Sequence, residues 1–308
     1  MLNLYDTKLI GSCTVSCIFV FATQLSLSLV PRFFSASPLF IKLTLSVFVL
    51  LAVVGFGRWC RRLIGVSASA PAFVFFNMFF IWGVYIGVIR YANSRCMDVV
   101  FNGVIVMLII GLCSILSRDP GLVPYGSSDS EELVESSVLG YKADDESSLF
   151  LRRIRYCKSC KAYIKGFDHH CPAFGNCIGK NNHVLFMVLL VGFLAAEVSY
   201  LVCSSQFARK FQILHRTGFE INLAENLANS TMLFCLLQVL WQGVFLTWHV
   251  YCICFNIRTD EWINWKKYPE FQLIVQSSSG EGSAKIRFRN PYDKGILQNV
   301  KEFLSLKE

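Results

Sequence analysis

Charge is what this 308-residue chain has least of. Lys, Arg, Asp and Glu make up 16% of it, against roughly 25% in soluble domains, while 54% of its residues are hydrophobic. That imbalance excludes a disordered tail protein, a collagen and an ordinary water-soluble enzyme. The 29 basic and 21 acidic side chains leave a net +8. The excess is too small and too dispersed for nucleic acid, but it suits loops facing an anionic membrane leaflet. No internal repeat is visible. No basic stretch precedes the first apolar run, which follows Asp6 and Lys8, and no small-residue cleavage site follows it. That run therefore reads as a span rather than a signal peptide.

Six runs have the length and apolarity that a bilayer requires: residues 10–30, 39–57, 71–89, 98–116, 184–204 and 231–255. The expected fold is an all-α polytopic membrane protein of about six transmembrane helices. A small cytosolic, zinc-binding cysteine-rich domain interrupts it between spans four and five. The expected divisions are 1–116 for four spans, 117–150 for a linker, 151–183 for the cysteine-rich domain, 184–255 for two spans and 256–308 for a tail. Arg58, Arg61 and Arg62, and the basic residues of segment 117–183, put those loops in the cytosol. Arg90, Arg95, Arg209, Lys210 and Arg216 pull weakly the other way. Residues 126–148 are acidic and Ser-rich, as in a solvated spacer.

Seven of the thirteen cysteines (Cys13, Cys17, Cys113, Cys203, Cys235, Cys252 and Cys254) sit in apolar runs and read as small hydrophobes. Cys157, Cys160, Cys171 and Cys177 instead share 21 positions with His169 and His170. A CxxC turn brings two thiolates to one metal, and a later His and Cys can complete a tetrahedron. Six candidates compete for four places. In an extended segment side chains alternate, so His169 and Cys171 share a side that His170 does not. If His170 joins Cys157, Cys160 and Cys177 on the metal, His169 and Cys171 are left together. An imidazole can then draw the proton from a thiol, with Asp168 fixing the imidazole's tautomer. A plain zinc knuckle with a bystander His and Cys remains the alternative. A redox CxxC fits poorly, because no βαβ pattern surrounds it.

The stretch Asp168-His169-His170-Cys171-Pro172, followed by Asn176-Cys177-Ile178-Gly179 and Asn182-His183, resembles the cysteine-rich domain of the DHHC protein S-acyltransferases (palmitoyltransferases). Three further segments add to the resemblance. They are Asp119-Pro120-Gly121, Arg258-Thr259-Asp260-Glu261 and Asn290-Pro291-Tyr292-Asp293-Lys294-Gly295 with Asn299. It implies transfer of a long-chain acyl group, palmitoyl above all, from acyl-CoA through a Cys171 thioester to cysteines of membrane-associated proteins. His169 is then the base and Asp168 its orienter, Thr259 and Asn299 support them, and the active site faces the cytosol from the ER, Golgi or plasma membrane. The resemblance also implies that Cys157, Cys160, His170 and Cys177 hold a structural zinc ion.

The chain departs from the resemblance in three places. No Cys lies between Cys113 and Cys157, and Tyr156 and Tyr163 stand where two ligands of the family's other zinc site would be. One zinc per chain is therefore expected. Ala173, followed by Phe174, replaces a Trp that walls the acyl cavity, and Arg258 replaces a Thr. Glu197 and Gln242 lie at similar depths in spans five and six and are expected to hydrogen-bond, as a structural link between the two helices ahead of the alternative that they floor the acyl pocket. Arg152, Arg153, Arg155 and Lys158 are expected to meet anionic lipid or the CoA phosphates. The tail stretches Tyr268–Val275 and Lys294–Leu306 look amphipathic, and the simplest expectation is a short helix packed on the cytosolic face. The competing function is a zinc-stabilised membrane scaffold that binds acyl-CoA or partners without turnover. A channel or transporter has little support.

Overall fold

The computed structural model describes residues 4–65, 67–123, 153–214, 223–275 and 285–305. The Ser-rich stretch 126–148, Arg152 and Arg216 lie outside the described residues. Four helices come first: α1 (Leu4–Phe33), α2 (Leu39–Ile64), α3 (Ala70–Val84) and α4 (Arg95–Ser117). Four short strands follow: β1 (Ile154–Cys157), β2 (Ala162–Lys165), β3 (His169–Cys171) and β4 (Asn176–Ile178). Then come α5 (His183–Leu214), α6 (Leu223–Cys254), α7 (Thr259–Asn264), β5 (Gln272–Val275), β6 (Lys285–Phe288) and α8 (Ile296–Leu304). Among the described residues, six helices are long and apolar enough to cross a membrane. The chain is an integral membrane protein, with its cysteine-rich region between spans four and five.

The chain divides into two compact units, residues 1–112 with 189–244, and residues 113–188 with 245–308. In the first, apolar side chains point outward. Phe40 is 78% exposed and Met107 68%. Water would penalise that surface, whereas hydrocarbon does not. With lipid as solvent, helices associate through close packing and internal hydrogen bonds. Gln24 donates to Asn77 Oδ1 at 3.2 Å, Ser16 Oγ to the Ser69 carbonyl at 3.0 Å, and Asn226 to the Ser28 carbonyl at 3.0 Å. A Cβ at Gly111 would lie 2.6 Å from Leu189 Cδ2, so α4 and α5 approach closely there. Arg90, at the end of α3's π-helical and 3-10 extension (Tyr85–Ile89 and Arg90–Ala92), is ion-paired with Asp98 at 3.0 Å. Gln242 Nε2 donates to Glu197 Oε1 at 2.7 Å.

The second unit holds three two-stranded antiparallel hairpins, β1–β2, β3–β4 and β5–β6. Ile164 on β2 and Ile178 on β4 are fully buried. The Asp119-Pro120-Gly121 segment completes the first hairpin. The Asp119 carboxylate accepts from the Gly121 and Leu122 amides, both at 2.8 Å, and turns the chain. Leu122 then bridges Ile164. Of the two amphipathic tail stretches, Lys294–Leu306 contains α8. The other corrects a helical expectation, because Pro269–Phe271 forms a 3-10 turn that leads into β5, where Ile274 pairs with Ile286. Pro269 has no amide hydrogen to donate, and the β-branched Ile274 and Val275 favour a strand.

Gly179 sits where these pieces converge. A Cβ there would stand 2.4 Å from the Pro120 carbonyl oxygen and 3.0 Å from that of Lys165. Both obstacles are backbone, so neither can swing aside. Gly179→Ala is expected to destabilise the cysteine-rich region by about 1–3 kcal/mol, read as a lower thermal midpoint and loss of bound metal in detergent.

Candidate functional site

Strand β3 presents His169, His170 and Cys171 in succession. Its partner β4 sets His170 opposite Cys177, His169 opposite Ile178 and Cys171 opposite Asn176. The turn between them is closed by the Phe174 amide on the Cys171 carbonyl at 3.3 Å, with Gly175 at φ +59°. A side chain at that φ would be strained.

The face bearing His170 gathers metal donors. One donor atom from each of Cys157, Cys160, His170 and Cys177 lies within 4.8 Å of every other. Sγ of Cys160 and Sγ of Cys177 are 3.5 and 3.6 Å from His170 Nδ1, and 3.3 Å from each other. A zinc tetrahedron with ordinary bond lengths has S–N edges of about 3.6 Å and S–S edges of about 3.8 Å, so the set fits such an ion. The Cys160 amide points at Cys157 Sγ at 3.4 Å, as in a CxxC turn. Burial pushes the Cys177 thiol above its ordinary value, and the Cys160 and Cys157 sulfurs add to the effect. A bound cation would remove that penalty. Tyr156 and Tyr163 face each other across β1–β2 with ring centroids 5.1 Å apart. They hold that hairpin by packing.

On the other face, His169 Nδ1 meets Asp168 Oδ2 at 2.7 Å, and the imidazole also interacts with the Cys171 side chain. Burial opposes the charged imidazole, but the bonds to Asp168 and Cys171 outweigh it and raise His169 from 6.5 to about 9. Burial would also raise the fully buried Asp168. The His183 imidazole, the His169 hydrogen bond and the Arg258 charge overcome this and hold it well below the usual carboxylate range. Thr259 reaches Asp168 through its backbone, its amide donating to Oδ1 at 3.0 Å. The Asp260 amide holds the Asp168 carbonyl at 3.0 Å. Phe174 is buried with its ring against Phe186, and Ala173 is half-buried beside it.

Residues 150–266 match the family model described as DHHC palmitoyltransferase. The chain is 26% identical over 204 residues to "Palmitoyltransferase ZDHHC17" of Mus musculus, covering 61% of this chain and 30% of that protein. It is 26% identical over 223 residues to "Probable protein S-acyltransferase 1" of Arabidopsis thaliana, covering 62% and 59%. Against "Palmitoyltransferase ZDHHC3" of Rattus norvegicus it is 35% identical over 103 residues, covering 32% and 34%. The chain thus spans from about a third to three fifths of the length of these relatives.

Within this stretch the basic residues correct one expectation. Arg153 is buried, not turned to lipid or CoA. It pairs with Glu261 at 2.9 and 3.0 Å, donates to Asn256 Oδ1 at 2.7 Å and lies 3.7 Å over the Tyr292 ring. Arg155 pairs with Glu270 at 2.6 Å and lies 3.9 Å over Tyr268. A planar guanidinium stacks on a ring and grips a carboxylate at once, so these two arginines tie β1 to the segment after the last span. Lys158 stays exposed. Glu261 also accepts from the Arg258 amide at 2.8 Å, which starts α7. Asn299, fully buried, donates to the Cys254 carbonyl at 2.8 Å and to Asp293 at 2.7 Å. It anchors the tail to the end of α6.

Sequence reasoning missed Arg258, His183 and His249 as neighbours of the site. Arg258 donates to His183 Nδ1 at 2.5 Å. An ionisable group in an apolar run was the available signal for His249, on α6.

Two outcomes follow. The raised His169 contributes stability that is full below pH 6.5 and is lost as pH rises through about 9. Asp168→Asn should therefore cost about 2 kcal/mol more at pH 6.5 than at pH 9.5, measured by thermal unfolding in detergent. Arg153→Met removes the guanidinium that pairs with the buried Glu261 and should cost about 3–5 kcal/mol. Adding Glu261→Gln to that variant should recover part of the loss.

Proposed function

We propose that this chain is a protein S-acyltransferase that moves a long-chain acyl group, palmitoyl above all, from acyl-CoA to cysteines of membrane-associated proteins. The observation that carries this reading is the Asp168–His169 hydrogen bond on the strand that also carries Cys171, both His169 and Cys171 lying outside the metal-donor set. Asp168 accepts from His169 Nδ1–H and leaves the other ring nitrogen free to take the Cys171 proton. The Cys171 sulfur then attacks the thioester carbonyl. The CoA sulfur leaves and takes the proton from His169, so charge and atoms balance. In the second half a substrate thiolate attacks the Cys171 thioester, and the Cys171 sulfur leaves.

Cys157, Cys160, His170 and Cys177 would hold one zinc ion, whose part is to crosslink the hairpins. Its four protein ligands leave no position for substrate. The acyl chain lies among the spans, and Ala173 and Phe174, two and three residues after Cys171, stand near the thioester. Burying it gains ~0.8 kcal/mol per CH2, and a site at the bilayer edge keeps CoA in water. The membrane belongs to the ER, Golgi or plasma membrane, and the site faces the cytosol.

Purified protein incubated with labelled palmitoyl-CoA should take up hydroxylamine-sensitive label. Cys171→Ser should lose it by at least about 100-fold while retaining its metal. Elemental analysis should give one zinc per chain, and His170→Ala should lose it. Wild-type protein that binds palmitoyl-CoA without labelling would instead identify a scaffold.

A further inference from the structure

His249 has no part in the chemistry above, yet it stands beside it. It lies near the end of α6 and is 1% exposed. Its ring is held edge-on against Phe245 at 4.5 Å and Phe186 at 4.9 Å, and its centroid is 5.7 Å from that of His169. Among the described residues neither Nδ1 nor Nε2 has a hydrogen-bond partner.

A neutral imidazole always carries one N–H. Buried without a partner, that donor is costly, and a Leu or Phe would fill the same place without the cost. An orphaned donor whose ring stands 5.7 Å from that of His169 is placed to meet an incoming acceptor. The nearby donor set would also suit a cation, because one atom each from Asp168, His183 and His249 lies within 4.8 Å of the others. The Arg258 guanidinium opposes that use. It sits 2.5 Å from His183 Nδ1 and puts a fixed positive charge where the cation would bind. The same guanidinium attracts a carbonyl oxygen that gains negative charge, while the nearby Asp168 carboxylate is already met by His169 and the Thr259 amide.

We propose that His249 is a further catalytic residue of the acyl transfer, its N–H donating to the thioester carbonyl oxygen as that oxygen becomes an oxyanion. This rests on the S-acyltransferase reading. As the Cys171 sulfur bonds to the carbonyl carbon, the C=O π pair moves onto oxygen and His249 stabilises it. When the pair returns, the C–S bond to CoA breaks and the CoA sulfur takes the proton held by His169. His249 donates a hydrogen bond throughout and keeps its own proton.

The test compares two variants of the full chain in detergent. His249→Gln keeps a donor, and His249→Met keeps volume without one. Both should retain zinc and bind a non-reactive thioether analogue of palmitoyl-CoA as the wild type does. At saturating palmitoyl-CoA the Met variant should label Cys171 about 10²–10³-fold more slowly, with KM unchanged. The Gln variant should stay within about tenfold of wild type. Equal labelling rates in the two variants, both fast or both slow, overturn the proposal. No label on wild type overturns the S-acyltransferase reading and the oxyanion role with it. Label on wild type with equal variants overturns the oxyanion role alone.

Discussion

Side chains alternate along a β-strand, and three consecutive residues of β3 use that alternation to separate two kinds of sulfur chemistry. His170 turns to Cys157, Cys160 and Cys177. His169 and Cys171 turn away, toward Asp168 and each other. A one-residue slip of β3 against β4 would turn His169 toward the metal donors and His170 away from them. The pairing of His170 with Cys177 is therefore what the site depends on. An ion in the tetrad would lock that register more firmly than three short ladder pairs can.

The register is also held from outside the hairpin. Asp168 is gripped by two amides from the start of α7, and Glu261 on the same helix is gripped by Arg153 beside β1. Burying two such charges carries a desolvation cost that their attraction only partly offsets. Their value here is positional, because each guanidinium bond has one geometry. Arg258 adds a second guanidinium where the resemblance has a threonine. Burial and the Arg153 charge press it below its ordinary value, while Asp168 and Glu261 oppose them. It keeps company with carboxylates on both sides.

The membrane part of the molecule obeys different physics. Its helices expose Phe, Met and Leu and hide Gln, Asn and Ser. Apolar side chains gain nothing by leaving hydrocarbon, so contacts such as Gln24 with Asn77 and the close approach at Gly111 set the packing.

Six spans were legible because an apolar run of bilayer length has few other uses. The helices outrun them, as α5 reaches from His183 to Leu214 where the run covers 184–204, because a helix continues past the hydrocarbon once its backbone bonds are formed. The donor set was legible because CxxC spacing and strand alternation are local rules. The partners of Arg153 were not, since Glu261 lies 108 residues away and a basic residue beside a membrane fits lipid as well as a carboxylate. The support of Asp168 by an amide of Thr259, and the place of His249 against His169, were likewise hidden. The sequence by itself determined the solvent, the number of crossings and the donors. Only the tertiary structure decided which distant charges and imidazoles surround Asp168 and His169, because long-range contacts leave no period or spacing in the chain.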